Sequence, residues 1–231
     1  LRYRLTPYVY STAHDVAANG SSFIAAAGMA FPEDRAVAAY DEAYLFGPAL
    51  LVRPVFEPMP AGARTQPVTT LLPRHDGAWW YDFFTGEAFR GGERITRACG
   101  LTELPVYARG GSIVPTGAAK ESVMAGPDTE LEIRVYTGAD ARFTLYDDAG
   151  DGRSLDAPRQ RAHYADRAEH TAFETHVDRN AHRAVEFARQ FHLFVHPGLN
   201  QRSVALFQRQ FGACDREVCS RSVRRAYEQV D

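Results

Sequence analysis

The chain has 231 residues, a formal net charge of −3, 45% hydrophobic residues and 24% charged ones. That composition supports an ordinary buried core in one large domain or two small ones, and its near-neutral balance gives no reason to expect nucleic acid or an anionic membrane as partner. No apolar run approaches the ~20 residues needed to span a bilayer, and three cysteines are too few for a disulfide framework.

Leu1 opens the chain without methionine or a signal-peptide pattern, and residues 1–10 already read as packed, so a piece of a longer chain is expected. Residues 1–19 are predicted to be helical. Leu1, Leu5, Tyr8, Val9, Thr12 and Val16 recur at three- and four-residue steps, the spacing of one helical face. Pro7 inside that pattern calls for a kink or a late start. Asn19 and Gly20 make a stop, because both tolerate left-handed backbone. Residues 23–31, FIAAAGMAF, form an uncharged apolar run that fits a strand buried on both faces, as in a parallel sheet or barrel. A buried helical piece fits the same run. Residues 34–44 are alanine-rich and helix-compatible. Gly47 and Pro48 turn the chain, residues 49–52 and 68–72 read as strands, and 55–66 reads as an exposed loop with Pro58, Pro60 and Gly62.

Residues 79–115 carry short β-prone runs between glycine turns at Gly86, Gly91–Gly92 and Gly110–Gly111, the pattern of an antiparallel sheet with tight corners. Residues 116–128 read as a linker. Residues 131–136 and 143–146 alternate apolar with polar and are predicted to form a hairpin with each other, followed by an acidic turn over 147–152. From residue 158 glycine becomes sparse and Arg, His and Gln accumulate. Val177, Ala181, Ala184, Val185, Ala188, Phe191 and Val195 keep helical spacing, and 203–211 and 216–230 also read as helices. The fold class expected from the elements is α+β.

Candidate chemistry is sparse. Trp79, Trp80 and Tyr81 offer either a sugar-stacking platform or core, and aromatics of this size more often fill cores. Asp82 and Glu87 flank a turn and are the nearest thing to a carboxylate pair. Asp15, Glu33, Asp34, Asp41 and Glu42 are further carboxylates with nothing to single one out. Asp147, Asp148 and Asp151 suggest a calcium loop, but Ala149 and Pro158 occupy positions that the EF-hand needs as ligands. His163, His170, His176, His182, His192 and His196 crowd the tail. His192 and His196 have i,i+4 spacing without the HExxH pattern. Cys99, Cys214 and Cys219 lack zinc spacing, and Arg221, Arg224 and Arg225 read as a solvated helical face. No catalytic, cofactor-binding or metal-binding residue is assigned, and no cofactor is expected.

Four segments in order nevertheless carry a likeness. LRYRLTPYVYS (1–11), YLFGPALLVRPV (44–55), WYDFFTGEAFRGG (80–92) and LTELPVYARGGSIVP (101–115) resemble successive motifs of glycoside hydrolase family 31, the α-glucosidases and α-xylosidases. LYDDAGDG (145–152) adds a weaker fifth. Each motif is mostly structural, and their register together gives the likeness its weight. Three positions depart from the family pattern: Ala25 stands where an arginine is usual, Ala30 where an acid is common and Ala43 where a glutamine is common.

The resemblance implies the end of a (β/α)8 barrel followed by an antiparallel β-sandwich domain, then a divergent helical tail. Residues 1–47 would supply the last helix and strand of the barrel. Residues 48–118 would be a proximal C-terminal β-domain, 119–157 the start of a distal β-domain, and 158–231 the tail. The implied activity is retaining hydrolysis of terminal α-glucosyl or α-xylosyl bonds in carbohydrate metabolism. That reaction needs two carboxyl groups ~5–5.5 Å apart at the ends of barrel strands. By resemblance both aspartates lie upstream of Leu1, so the isolated chain is expected to be inactive, with carbohydrate bound through the absent half. The alternative is a non-catalytic β-rich module that binds carbohydrate or a protein partner.

Overall fold

A computed structural model describes residues 1–76, 78–123, 131–139, 141–147, 160–166, 176–177 and 188–194. The chain divides into two compact units, one of Ser22–Gly110 and one of Leu1–Ser21 with Gly111–Asp231.

The Ser22–Gly110 unit contains strands β1 (Ile24–Ala26), β2 (Tyr44–Phe46), β3 (Leu50–Val52), β4 (Gln66–Leu71), β5 (Trp79–Asp82), β6 (Ala88–Arg90), β7 (Arg94–Cys99) and β8 (Val106–Arg109), with a four-residue helix α1 (Ala27–Ala30) and a 3-10 turn at Arg35–Val37. Six strands form an antiparallel sheet in the order β1-β2-β3-β8-β5-β6, and β4 pairs with β7 in a second, two-stranded one. Residues Leu50, Leu51 and Val52 are all buried, so β3 sits at the centre of the hydrophobic material. Around it Phe31, Val37, Leu45, Leu51, Leu71, Leu72, Trp80 and Tyr107 make one core cluster. Trp80 and Tyr107 have no exposed surface, and aromatics of this size dominate core energetics through buried area. The turn after β5 is built by Asp82, whose Oδ1 accepts from the backbone N–H of Phe84 at 3.0 Å and of Thr85 at 2.7 Å. Gly86 follows with φ 78°, a conformation a Cβ disfavours.

The run at residues 23–31 is not the doubly buried strand expected of it. Only Ile24–Ala26 is extended; β1 pairs antiparallel with β2 and leaves Ile24 60% exposed. The chain then turns helical at Ala27, because Ala, Gly and Met have little β preference to prolong the strand. Residues 34–44 yield a single 3-10 turn rather than a helix, with Asp34 accepting from Ala36 N at 3.1 Å.

The second unit holds α2 (Thr6–Asn19), β9 (Ser112–Gly117), β10 (Leu131–Tyr136), β11 (Ala141–Asp147), β12 (Gln160–Asp166), β13 (His176–Val177) and β14 (Ala188–Phe194). Pro7 sits in the first turn of the helix, the late start that its missing N–H allows, and Gly20 caps the end with φ 69°. Tyr8 stacks on Phe143 at 6.0 Å, and Ser11 Oγ accepts from Tyr146 N at 2.9 Å, which ties the helix to β11. Glu132 on β10 pairs with Arg4 at 2.6 Å and with Arg134 at 2.5 Å.

Two sequence expectations fail in this unit. Residues 131–136 and 143–146 do not pair with each other. β10 lies between β9, antiparallel, and β14, parallel, while β11 pairs with β12. Alternation marks which face of a strand is buried but does not choose its neighbour. The tail is also not helical where it is described: β12, β13 and β14 are strands. In β14 residues 190–193 alternate polar with apolar, and the register sets Ile133 beside Phe191 and Val135 beside Leu193. The predicted helices at 203–211 and 216–230 lie outside the described residues.

Candidate functional site

In the Ser22–Gly110 unit the connection from β4 to β5 draws polar and aromatic side chains together. Residues 72–75 are clasped there from several sides. Gly92 N donates to Leu72 O at 2.6 Å, Trp80 Nε1 donates to Pro73 O at 2.7 Å, and Arg74 N donates to Asp34 Oδ2 at 2.7 Å. A Cβ built on Gly91 would stand 2.8 Å from Pro73 O, so a side chain at position 91 would push the connection away.

His75 is the keystone of this clasp. Its Nε2 lies 3.0 Å from Trp79 O, and its Nδ1 lies 3.4 Å from Arg109 Nε. The ring meets Trp80 edge-on at 5.1 Å and Phe31 at 6.0 Å. The Arg109 guanidinium in turn covers the Phe31 ring at 5.4 Å. Burial, and next the Arg109 charge, lower the His75 pKa from 6.5 to about 4. Burial also lowers that of Arg109. Sequence reading did not single out His75 or Arg109, because the contacts that matter come from residues 31, 80 and 109, remote from 75 in the chain.

The aromatic run is core rather than platform. Trp80 and Tyr81 are fully buried, and Trp79 is half-buried with the Arg90 guanidinium 4.7 Å over its ring. Asp82 is fully buried and paired with Arg97. Glu87 lends its backbone to that turn: its carbonyl accepts from Asp82 N at 2.8 Å and its N–H donates to Thr85 Oγ1 at 3.3 Å. Asp34 is buried with two amide donors and Arg74, and Glu42 pairs with the buried Arg53 at 3.1 Å. Asp15 accepts from Asn19 at 2.6 Å on an exposed helical face, and Glu33 and Asp41 are exposed. The structure therefore does not bring these acids together; each of the buried ones serves a local bond.

Ala25 is half-buried against the core, Ala43 is buried and Ala30 is exposed. Cys99 is buried and free, and burial raises its thiol pKa. His163 and His176 are register partners across β12 and β13, and His192, on strand β14 rather than a helix, is the register partner of Arg134. Among the described residues no group of three or more His, Cys, Asp or Glu is placed to hold a metal ion. Asp148, Asp151, His170, His182, His196, Cys214, Cys219, Arg221, Arg224 and Arg225 lie outside the described residues.

A model of the glycosyl hydrolase family 31 C-terminal domain matches residues 20–114. Over 150 residues the chain is 33% identical to an alpha-xylosidase of Saccharolobus solfataricus, covering 65% of this chain and 20% of that protein. It is 32% identical to the mouse neutral alpha-glucosidase C, with 64% and 16% covered. Among solved structures it resembles the α-xylosidase of Xanthomonas citri at 37% identity and a TM-score of 0.63, covering 73% of this chain and 18% of that one. A Flavobacterium johnsoniae dextranase complexed with isomaltotriose follows at 26% and 0.62, with 72% and 20% covered. The chain thus spans about a fifth or less of these relatives.

Proposed function

We propose, from the premise that this chain carries the C-terminal domain of glycosyl hydrolase family 31, that it is the C-terminal part of a retaining α-glycosidase acting on terminal α-glucosyl or α-xylosyl bonds. In this reading the strand expected for the barrel, Ile24–Ala26, joins the β-domain sheet instead, 48–118 form the proximal β-domain, 119–157 begin a distal one, and the barrel with its nucleophile and acid–base aspartate comes from sequence upstream. The chain's own work is mechanical: it braces the barrel so that its two carboxyl groups keep the ~5–5.5 Å separation that retention requires.

The observation that carries the reading is the occupation of the buried acids. Asp82 is spent on two turn amides and Arg97, and Asp34 on two amides and Arg74. A nucleophilic or proton-donating carboxyl group needs an open approach to the substrate. Neither aspartate is offered that way. The relatives' names favour α-xylosyl and α-glucosyl substrates for the parent.

The test is an assay of the purified 231-residue chain on p-nitrophenyl α-xyloside and α-glucoside. No release above buffer is expected, while release that survives further purification would overturn the reading. Co-expression with an upstream barrel half is the positive arm, where activity appears only with both pieces.

A further inference from the structure

We propose that His75 is an acid-sensitive latch: as a neutral ring it ties the connection between β4 and β5 to Arg109, and as a cation it keeps its bond to Trp79 O but lets Arg109 go.

The geometry leaves one tautomer that satisfies both neighbours. Nε2 faces a carbonyl, Trp79 O, at 3.0 Å, so it carries the hydrogen and donates. Nδ1 faces Arg109 Nε at 3.4 Å. A guanidinium has donors only, so Nδ1 accepts. Protonation places a second N–H on Nδ1, where it meets the N–H of Arg109. A donor then opposes a donor and a cation opposes a cation, in a half-buried setting where water compensates little. The charged groups that face the ring are Arg109 from β8 and Asp76 beside it in the same connection. Phe31, Trp80 and the Trp79 carbonyl present no charge. Asp76 is exposed and offsets Arg109 only weakly, being the smallest of the named influences.

The sign follows. The folded value of about 4 lies below the ordinary 6.5, so the unfolded chain binds the proton first. The latch's stabilisation is complete above 6.5 and is lost progressively as pH falls toward 4. Release would also take the Arg109 guanidinium off the Phe31 ring, which it covers in the neutral state.

The reporter is built in. The chain has two tryptophans, Trp79 and Trp80, and both contact His75. Emission of the full chain is recorded from pH 7.5 to 3 beside far-ultraviolet circular dichroism. The expected result is a reversible red shift with a midpoint near 4, ahead of any loss of β signal. Arg109→Gln keeps an N–H donor but removes the charge, and should move the midpoint toward 6.5. His75→Gln should abolish the early red shift. An unchanged midpoint in His75→Gln, or in Arg109→Gln, would overturn the latch. Should His75→Gln not fold, nuclear magnetic resonance titration of the His75 ring in the unaltered chain decides: a value at or above 6.5 sinks the proposal.

Discussion

The Ser22–Gly110 unit and the unit of Leu1–Ser21 with Gly111–Asp231 use the same short strands but hold their charges differently. In the first, charged groups are tied to backbone: Asp82 and Asp34 each take two amide hydrogens, and Arg53 Nε donates to Thr69 O at 3.2 Å. In the second, Glu132 stands between two arginines, Arg4 and Arg134. Backbone partners are fixed in place and little screened, whereas side-chain pairs lose strength in salt and cost rotamer freedom. The buried acids of the first unit lean on backbone amides beside their ion pairs to Arg97 and Arg74, so salt should weaken them less than it weakens Glu132.

The largest effect is expected where that contrast starts. Trp80→Ala removes the central buried ring and the donor to Pro73 O, and should cost about 3–5 kcal/mol in urea denaturation. Asp82→Ala leaves two turn amides without acceptors and Arg97 without its partner. It should cost about 2–4 kcal/mol, and nearly as much in 1 M salt as in buffer. Glu132→Gln is the smallest, about 1–2 kcal/mol at low ionic strength because Arg4 is partly exposed, and its effect should shrink as salt rises. Equal salt dependence for the two acid substitutions would erase the distinction between the units.

What could be read ahead of the structure follows the same division. The corners at Gly86, Gly92 and Gly111 were legible because their positive φ values, 78°, 91° and 76°, demand glycine locally. The helix stop at Gly20 was legible for the same reason. Strand partners were not, since Leu131, Ile133 and Val135 declare a buried face whether the neighbour is β11 or β9. The segment at 188–194 misled because Ala188, Phe191 and Val195 satisfy a helical period while Phe191 and Leu193 satisfy a strand period. In the fold, β14 lies along β10. His75 was invisible for a deeper reason: a lone histidine in a loop acquires its character only from the rings and the guanidinium that the fold brings to it.

Strand β1 ends its sheet, and Ile24, Ala25 and Ala26 bring it no charge, no proline and no bulge. A bare, apolar margin of this kind is a template on which a foreign strand can grow. Ile24→Lys supplies the missing gatekeeper without touching the core.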